Sequence, residues 1–293
     1  MTFYEIEFPL AALSVESVEA ALLDIGASSI TFVDRGDEPV LEPKPGEVRL
    51  WSDTLVRALF QESSDAAGNL HRLAATLGTH ITETARVRAI ADQDWERVWL
   101  TDWKSMRFGR RLWVCPTAAE PPDDPDAVVV RLDPGLAFGT GTHPTTALCL
   151  QILDSLPITG RSIIDYGCGS GILGIAALKL GAAHVSAVDI DPQALLATRE
   201  NAIRNGVSAN IEVLGTADPL TSAYCVMANI LAGPLIELAP TLTAACEAGG
   251  YLLLSGLLKT QAYAVKAAYS SAFAMVRVVE RDDWCCIYAR RGA

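Results

Sequence analysis

The chain predicts an α/β protein: a doubly wound, mostly parallel sheet preceded by a small α+β domain. Three observations carry that prediction. From Val128 to the end, short apolar runs alternate with helical patterns, the rhythm of βαβ units. One strand-to-helix turn, Asp165-Tyr166-Gly167-Cys168-Gly169-Ser170-Gly171, sets glycines at alternate positions between Ser162-Ile163-Ile164 and the helical run Ile172 to Leu180. Lacking Cβ atoms there, the backbone can turn tightly and approach a ligand laid across it. The next strand, His184 to Asp189, closes on an acid that can accept hydrogen bonds from both hydroxyls of a ribose, so the ligand is expected to carry an adenosine.

Two ligand classes use such a turn. A dinucleotide places its pyrophosphate at the helix N-terminus. Here the turn opens with a carboxylate, Asp165, which repels phosphates and favours a cation or an amino group. The order Asp-x-Gly-x-Gly-x-Gly, followed by an acid ending the next strand, resembles the class I S-adenosylmethionine-dependent methyltransferases; that resemblance favours S-adenosylmethionine over a nicotinamide dinucleotide and implies Asp165, Gly167 and Gly169 at the ligand, with Asp189 by the ribose.

With 293 residues, 50% hydrophobic and 20% charged, the chain can bury a substantial core. Its formal net charge of −12 argues against gripping nucleic acid, where affinity comes from Lys and Arg displacing counterions, and suits a basic protein partner. The start, Met1 to Phe8, lacks the basic flank and continuous apolar core of a signal peptide, and no run is long and uncharged enough to span a bilayer; a cytoplasmic monomer is expected. Seven cysteines, from Cys115 to Cys286, form neither a disulfide framework nor a zinc spacing, so no metal is expected. Cys168, inside the glycine turn, has no His or general base beside it in the sequence and is expected to pack beneath the turn rather than act as a nucleophile.

In chain order, residues 3 to 10 alternate apolar and polar as a half-buried strand does. Ser14, Glu16 and Ser17 open a helix through Val18, Leu22 and Leu23 that Gly26 closes, and Ser29 to Asp34 is a second strand. The Pro and Gly cluster from Gly36 to Gly46 is a loop. Val48 to Trp51 and Leu55 to Phe60 read as short strands, Leu70 to Leu77 as a helix stopped by Gly78, and Ile81 to Ile90 as alternating strand. The order βα, ββ, αβ is that of a split-βαβ domain over residues 1–90; nothing in it looks catalytic, so recognition is its natural task. Residues 91–108 form a connector in which Trp95, Trp99 and Trp103 share one helical stripe and pack on a domain, with Lys104, Arg107, Arg110 and Arg111 as a solvated basic surface. The catalytic domain is assigned to 109–293, with Glu120 to Asp126 a loop.

Val128 to Leu132 is a strand, and the glycine-bearing loop Asp133 to Thr146 follows. Pro144 fits a first helical turn, with Thr142 or His143 as its cap. The loop is longer than a cap requires and is expected to fold over the cofactor, with the Thr145 and Thr146 hydroxyls offering donors to a carboxylate at the helix N-terminus. His143 is a candidate base, weighed against a capping or positioning role. Past the helix Pro192 to Asn205 and a strand from Asn210 to Leu214, the fourth strand ends at Asn229, at the same carboxyl edge of the sheet as Asp165 and Asp189. Its amide oxygen can accept a hydrogen bond from an incoming amine or the cofactor's amino group. Gly250 to Leu258 is a fifth strand, Gln261 to Ala272 a helix, and Met275 to Arg281 with Trp284 to Arg290 a closing hairpin.

The stretches Asp133 to Thr146, Asp165 to Gly171, Val188 to Asp191 and Ala228-Asn229-Ile230-Leu231-Ala232-Gly233-Pro234, with Asp94-Trp95-Glu96-Arg97 in the connector, make the chain resemble the ribosomal protein L11 methyltransferase family over almost its whole length. The resemblance implies a seven-stranded methyltransferase sheet with one strand reversed, and cofactor contacts at Thr146, Gly167, Asp189 and Asn229. It also implies an amino-terminal domain that binds the ribosomal protein, and methyl transfer to lysine side chains and the amino terminus. Two rivals remain at this level: a methyltransferase acting on another amino nitrogen, in a protein or a nucleic acid, and a non-catalytic S-adenosylmethionine-binding scaffold.

Overall fold

The computed structural model describes residues 3–36, 50–61, 65–90, 104–133, 139 and 141–292. Outside them fall the loop residues 37–46, Val48 and Arg49, the tryptophan stripe with its Asp94 to Arg97 motif, and Pro134 to Phe138 with Thr140. The chain divides into two compact units, Met1–Val98 and Trp99–Ala293.

The first unit runs β1 (Phe3–Pro9), α1 (Val15–Asp24), β2 (Ser29–Asp34), β3 (Thr54–Gln61), α2 (Ala66–Leu77), α3 (His80–Thr84) and β4 (Arg86–Ile90). Its sheet has the order β2-β3-β1-β4, every pair antiparallel, as the split-βαβ pattern requires. Ile6, Phe8, Leu22, Phe60 and Leu73 fill the core, and Tyr4 stacks on its strand partner Phe60 at 5.2 Å. Glu5 pairs with Arg88 and Glu7 with Arg57 directly across the strands, each at 2.8 Å. Ser14 caps α1 by accepting from the Ser17 N–H. The expected single strand from Ile81 to Ile90 is instead a short helix and then a strand; the helix turns Ile81 into the core, where it is fully buried.

The second unit opens with a three-stranded sheet, β5 (Met106–Phe108), β6 (Leu112–Cys115) and β7 (Val128–Arg131). The basic run between β5 and β6 is thus part of a tight hairpin. Arg107 lies over the Trp113 ring at 5.8 Å, and Asp154 accepts the backbone N–H groups of Arg110 and Arg111. Sequence reading missed this hairpin because the acid that holds it, Asp154, caps the end of a helix more than 40 residues away.

The seven-stranded sheet has the order β10 (Ile211–Gly215), β9 (His184–Asp189), β8 (Ser162–Tyr166), β11 (Ala223–Asn229), β12 (Cys246–Leu258), β14 (Trp284–Arg291), β13 (Phe273–Arg281). The first five are parallel, and β14 runs antiparallel to both of its neighbours, the one reversed strand. One face is covered by α4 (Pro144–Leu153) and α5 (Ile172–Lys179), with α6 (Pro192–Arg204) beside them; the other by α7 (Ala232–Glu237), α8 (Ala239–Ala245) and α9 (Ala262–Tyr269). With both faces covered, β8 and β11 read as near-continuous apolar runs. Order reverses between β8 and β11, opening the crevice at the carboxyl ends where a doubly wound sheet binds its ligand.

Candidate active site

The glycine turn joins β8 to α5. Gly167, Gly169 and Gly171 hold φ values of 78°, 54° and 78°, in the left-handed region that glycine enters without strain. The N–H groups of Gly167 and Cys168 both donate to the Val188 carbonyl, at 2.7 and 3.0 Å, anchoring the turn to β9. Asp189 completes the anchor: one carboxylate oxygen accepts from Gly169 N–H at 2.9 Å and the other from Asp191 N–H at 3.0 Å. The carbonyl of Gly139, in the preceding loop, accepts from the Ser170 hydroxyl at 2.6 Å, which ties that loop to the turn.

A cavity of about 630 Å³ lies over the turn, bordered by Gly139, Thr146, Gly167, Gly169, Asp189 and Asn229 among others. His143 caps α4, its ring accepting from Thr145 N–H, with Pro144 at the first helical position, and the same first turn carries Thr146 to the cavity. Asn229, ending β11, donates from Nδ2 to Thr146 Oγ1 at 3.2 Å. Its carbonyl oxygen Oδ1 is buried and has no partner among the described residues. An acceptor stripped of water and left unbonded costs about 1–3 kcal/mol, so Asn229, a residue of the cavity wall, is suited to meet a donor that arrives with a ligand.

Thr146, Gly167, Gly169, Asp189 and Asn229 thus come together, whereas Asp165, Thr145 and His143 stand elsewhere. Asp165 is fully buried behind the turn and outside the cavity lining; one oxygen accepts from Gly174 N–H at 2.8 Å and the other has no partner among the described residues. It braces the first turn of α5. Burial pushes its carboxyl from 3.8 up to about 7, opposed by the Gly174 N–H, with repulsion from Asp189 adding to the rise. The folded protein therefore holds this proton more tightly than the unfolded chain. The resulting stability is complete below pH 3.8 and is lost as pH rises through about 7. Asp165→Asn, which retains the acceptor for Gly174, is expected to flatten that decline and to be the more stable protein at pH 8, by roughly 2–4 kcal/mol. Urea melts at pH 5 and pH 8 measure it; equal slopes for both proteins would refute it.

Thr145 and His143 border a second, smaller cavity, with His143 Nδ1 2.8 Å from Thr145 Oγ1 and burial lowering the imidazole's pKa from 6.5. Cys168 is buried beneath the turn and receives the Thr198 hydroxyl at 3.3 Å; burial, with Asp165 nearby, pushes its thiol up to about 12, far from a nucleophile's range. Sequence reading missed Gly256 and Trp284, which border the second cavity from β12 and β14; no local pattern marks them.

A strand-end acid, a glycine turn and a strand-four asparagine gathered at the crevice of a 3-2-1-4-5-7-6 sheet are the construction of class I S-adenosylmethionine-dependent methyltransferases, and this chain is one. A family model described as ribosomal protein L11 methyltransferase matches residues 2–292. Proteins named ribosomal protein L11 methyltransferase from Escherichia coli (strain SMS-3-5 / SECEC) and Shigella boydii serotype 18 are each 50% identical, over 99% of this chain and 100% of theirs. A crystal structure of ribosomal protein L11 methylase from Lactobacillus delbrueckii subsp. bulgaricus is similar at 32% identity and a TM-score of 0.61, covering 65% of this chain and 100% of that one. The chain belongs to the ribosomal protein L11 methyltransferase family.

Proposed function

We propose that this enzyme methylates amino groups of ribosomal protein L11, on lysine side chains and at the amino terminus. The observation that carries the chemistry is the buried, unbonded Oδ1 of Asn229, and full-length relatives at 50% identity support the acceptor. S-adenosylmethionine, when bound, supplies a methyl group on a positively charged sulfur, open to in-line attack by a neutral amine. Asp189 would hold the ribose hydroxyls, Gly167 and Gly169 let the backbone lie against the cofactor, and Thr146 steadies Asn229. Asn229 Oδ1 accepts an N–H of the incoming amine and so aims its lone pair. A lysine starts near pKa 10.4 and must lose its proton; withdrawal from water in the cleft lowers that value. Alignment and exclusion of water then carry the step, with no general base assigned and His143 kept as a cap.

The amino-terminal unit, residues 1–90 by sequence, is proposed to recognise the acceptor, through the connector 91–108, for the catalytic domain 109–293. The net charge of −12 complements a basic protein partner, and the same reading makes the enzyme a cytoplasmic monomer that does not grip nucleic acid. No helix among the described residues is long and apolar enough to cross a membrane.

Incubation with labelled S-adenosylmethionine and purified ribosomal protein L11, read by mass spectrometry, tests the proposal. Methyl increments on L11 are expected, and Asp189→Ala should weaken cofactor affinity about 10- to 100-fold in calorimetry, through lost hydrogen bonds to a charged acceptor. Cofactor binding without transfer to L11 would sink the acceptor assignment; Asp189→Ala binding as tightly as wild type would sink the ribose assignment.

A further inference from the structure

Two cavities meet at Asn229, Ile230 and Leu231. The larger holds the glycine turn and Asp189. The smaller, about 340 Å³, is completed by His143, Thr145, Gly256 and Trp284. Neighbouring residues at the start of α4 therefore serve opposite sides, Thr146 the larger cavity and Thr145 the smaller. We propose that the smaller cavity receives the acceptor amine and that Trp284 determines how well the site accepts an amine already carrying methyl groups. This inference rests on the amine-methyltransferase reading above.

The walls are fixed by the fold. Trp284 opens β14, paired with Leu258 on one side and Arg281 on the other. Its ring meets His143 edge-on, centroids 4.7 Å apart and planes at 70°, and His143 is itself held by Thr145. Among the described residues, those that border it include no carboxylate to keep an ammonium charged; they offer two aromatic rings, aliphatic side chains and Asn229.

In each transfer an N–C bond forms as the S–C bond breaks. The sulfur leaves with the electron pair as a neutral thioether and the nitrogen becomes cationic; after the first and second transfers it gives a proton to water, and after the third it stays a quaternary ammonium. A primary or secondary amine has an N–H to present to Asn229 Oδ1 while it attacks; a tertiary amine has none. As methyl groups accumulate, stabilisation of the positive charge growing on nitrogen passes from that hydrogen bond to the electron-rich face of an aromatic ring. Dependence on Trp284 therefore rises with each methyl, whereas dependence on Asn229 falls.

The test compares wild type, Trp284→Phe and Trp284→Leu on ribosomal protein L11, resolving methylation states by mass spectrometry and measuring cofactor affinity by calorimetry. Trp284→Leu should lower the ratio of multiply methylated to monomethylated product about five- to tenfold. Trp284→Phe should restore most of it, and all three should bind S-adenosylmethionine alike. A ratio unchanged in Trp284→Leu, or a loss equal across all states, overturns the proposal, as does a loss confined to cofactor affinity. A second measurement does not depend on the acceptor protein: NMR titration with n-butylamine and N,N-dimethylbutylamine, in the presence of S-adenosylhomocysteine. Wild type should prefer the dimethylated amine, and Trp284→Leu should lose that preference; no preference in wild type overturns the role of Trp284. Should wild type leave L11 unmethylated, the acceptor assignment fails and the amine titration alone decides Trp284.

Discussion

Asn229→Ala is expected to lower kcat on ribosomal protein L11 about 100-fold while melting no earlier than wild type. The activity loss follows from what Oδ1 offers, a fixed acceptor that holds the amine nitrogen on line; a freely rotating amine spends little time in the reactive geometry. The stability result follows from the same atom. Left unbonded and buried, Oδ1 costs the apo protein about 1–3 kcal/mol, and alanine removes that cost while giving up one hydrogen bond to Thr146, worth about 1 kcal/mol. A site residue that lowers stability when unliganded is one retained for binding. Single-turnover rates and thermal melts on the same preparations check both halves. Transfer at the wild-type rate would remove Asn229 from the mechanism.

Gly256→Ala is expected to cost about 3 kcal/mol or more and to reduce turnover about 100-fold, although residue 256 is nowhere near the glycine turn in sequence. Gly256 sits at the irregularity in the β12–β14 ladder with φ of 84°. A Cβ there would stand 2.3 Å from the Ile230 carbonyl oxygen, and 2.7 and 2.8 Å from its carbonyl carbon and nitrogen. These are backbone atoms and cannot rotate away. Nor can the segment withdraw freely, because Ile230 N–H donates to the Ser255 carbonyl at 3.1 Å. The single Ser255 hydroxyl proton is in turn shared between the carbonyls of Thr145 at 3.3 Å and Cys285 at 3.1 Å. Displacing Ile230 moves Asn229 and Leu231 with it, and so disturbs both cavities at their shared wall. Urea melts and turnover read the two effects together; wild-type values of both would show that the strand accommodates the methyl.

The chain's own punctuation made much of this legible in sequence. Gly167, Gly169 and Gly171 announce a turn because only glycine enters the left-handed region freely, and Asp189 and Asn229 are readable because each ends an apolar run of strand length. His143 and Pro144 mark the start of α4 by local capping chemistry. Other features were hidden for a physical reason. Asp165 looks like a ligand contact from its position at a strand end, yet the tertiary structure turns its carboxylate to Gly174 and buries it. The hairpin β5–β6 escaped notice because Asp154, which secures it, is the C-cap residue of α4, far away in sequence. Ile81 reads as the first residue of a strand, and only the core that receives it shows a helical turn.

By itself the sequence determined the class of fold, the succession of strands from Val128 onward and the residues at the mouth of the crevice, since periodicity, glycine placement and caps are short-range properties of the chain. Tertiary structure alone decided how those residues divide into two cavities. Thr146 meets Asn229 across 83 residues, and Thr145 meets Ser255 across 110. Which wall Trp284 and Gly256 belong to depends on the strand order that brings β12 and β14 beside the crevice, and that order is set by packing between distant segments.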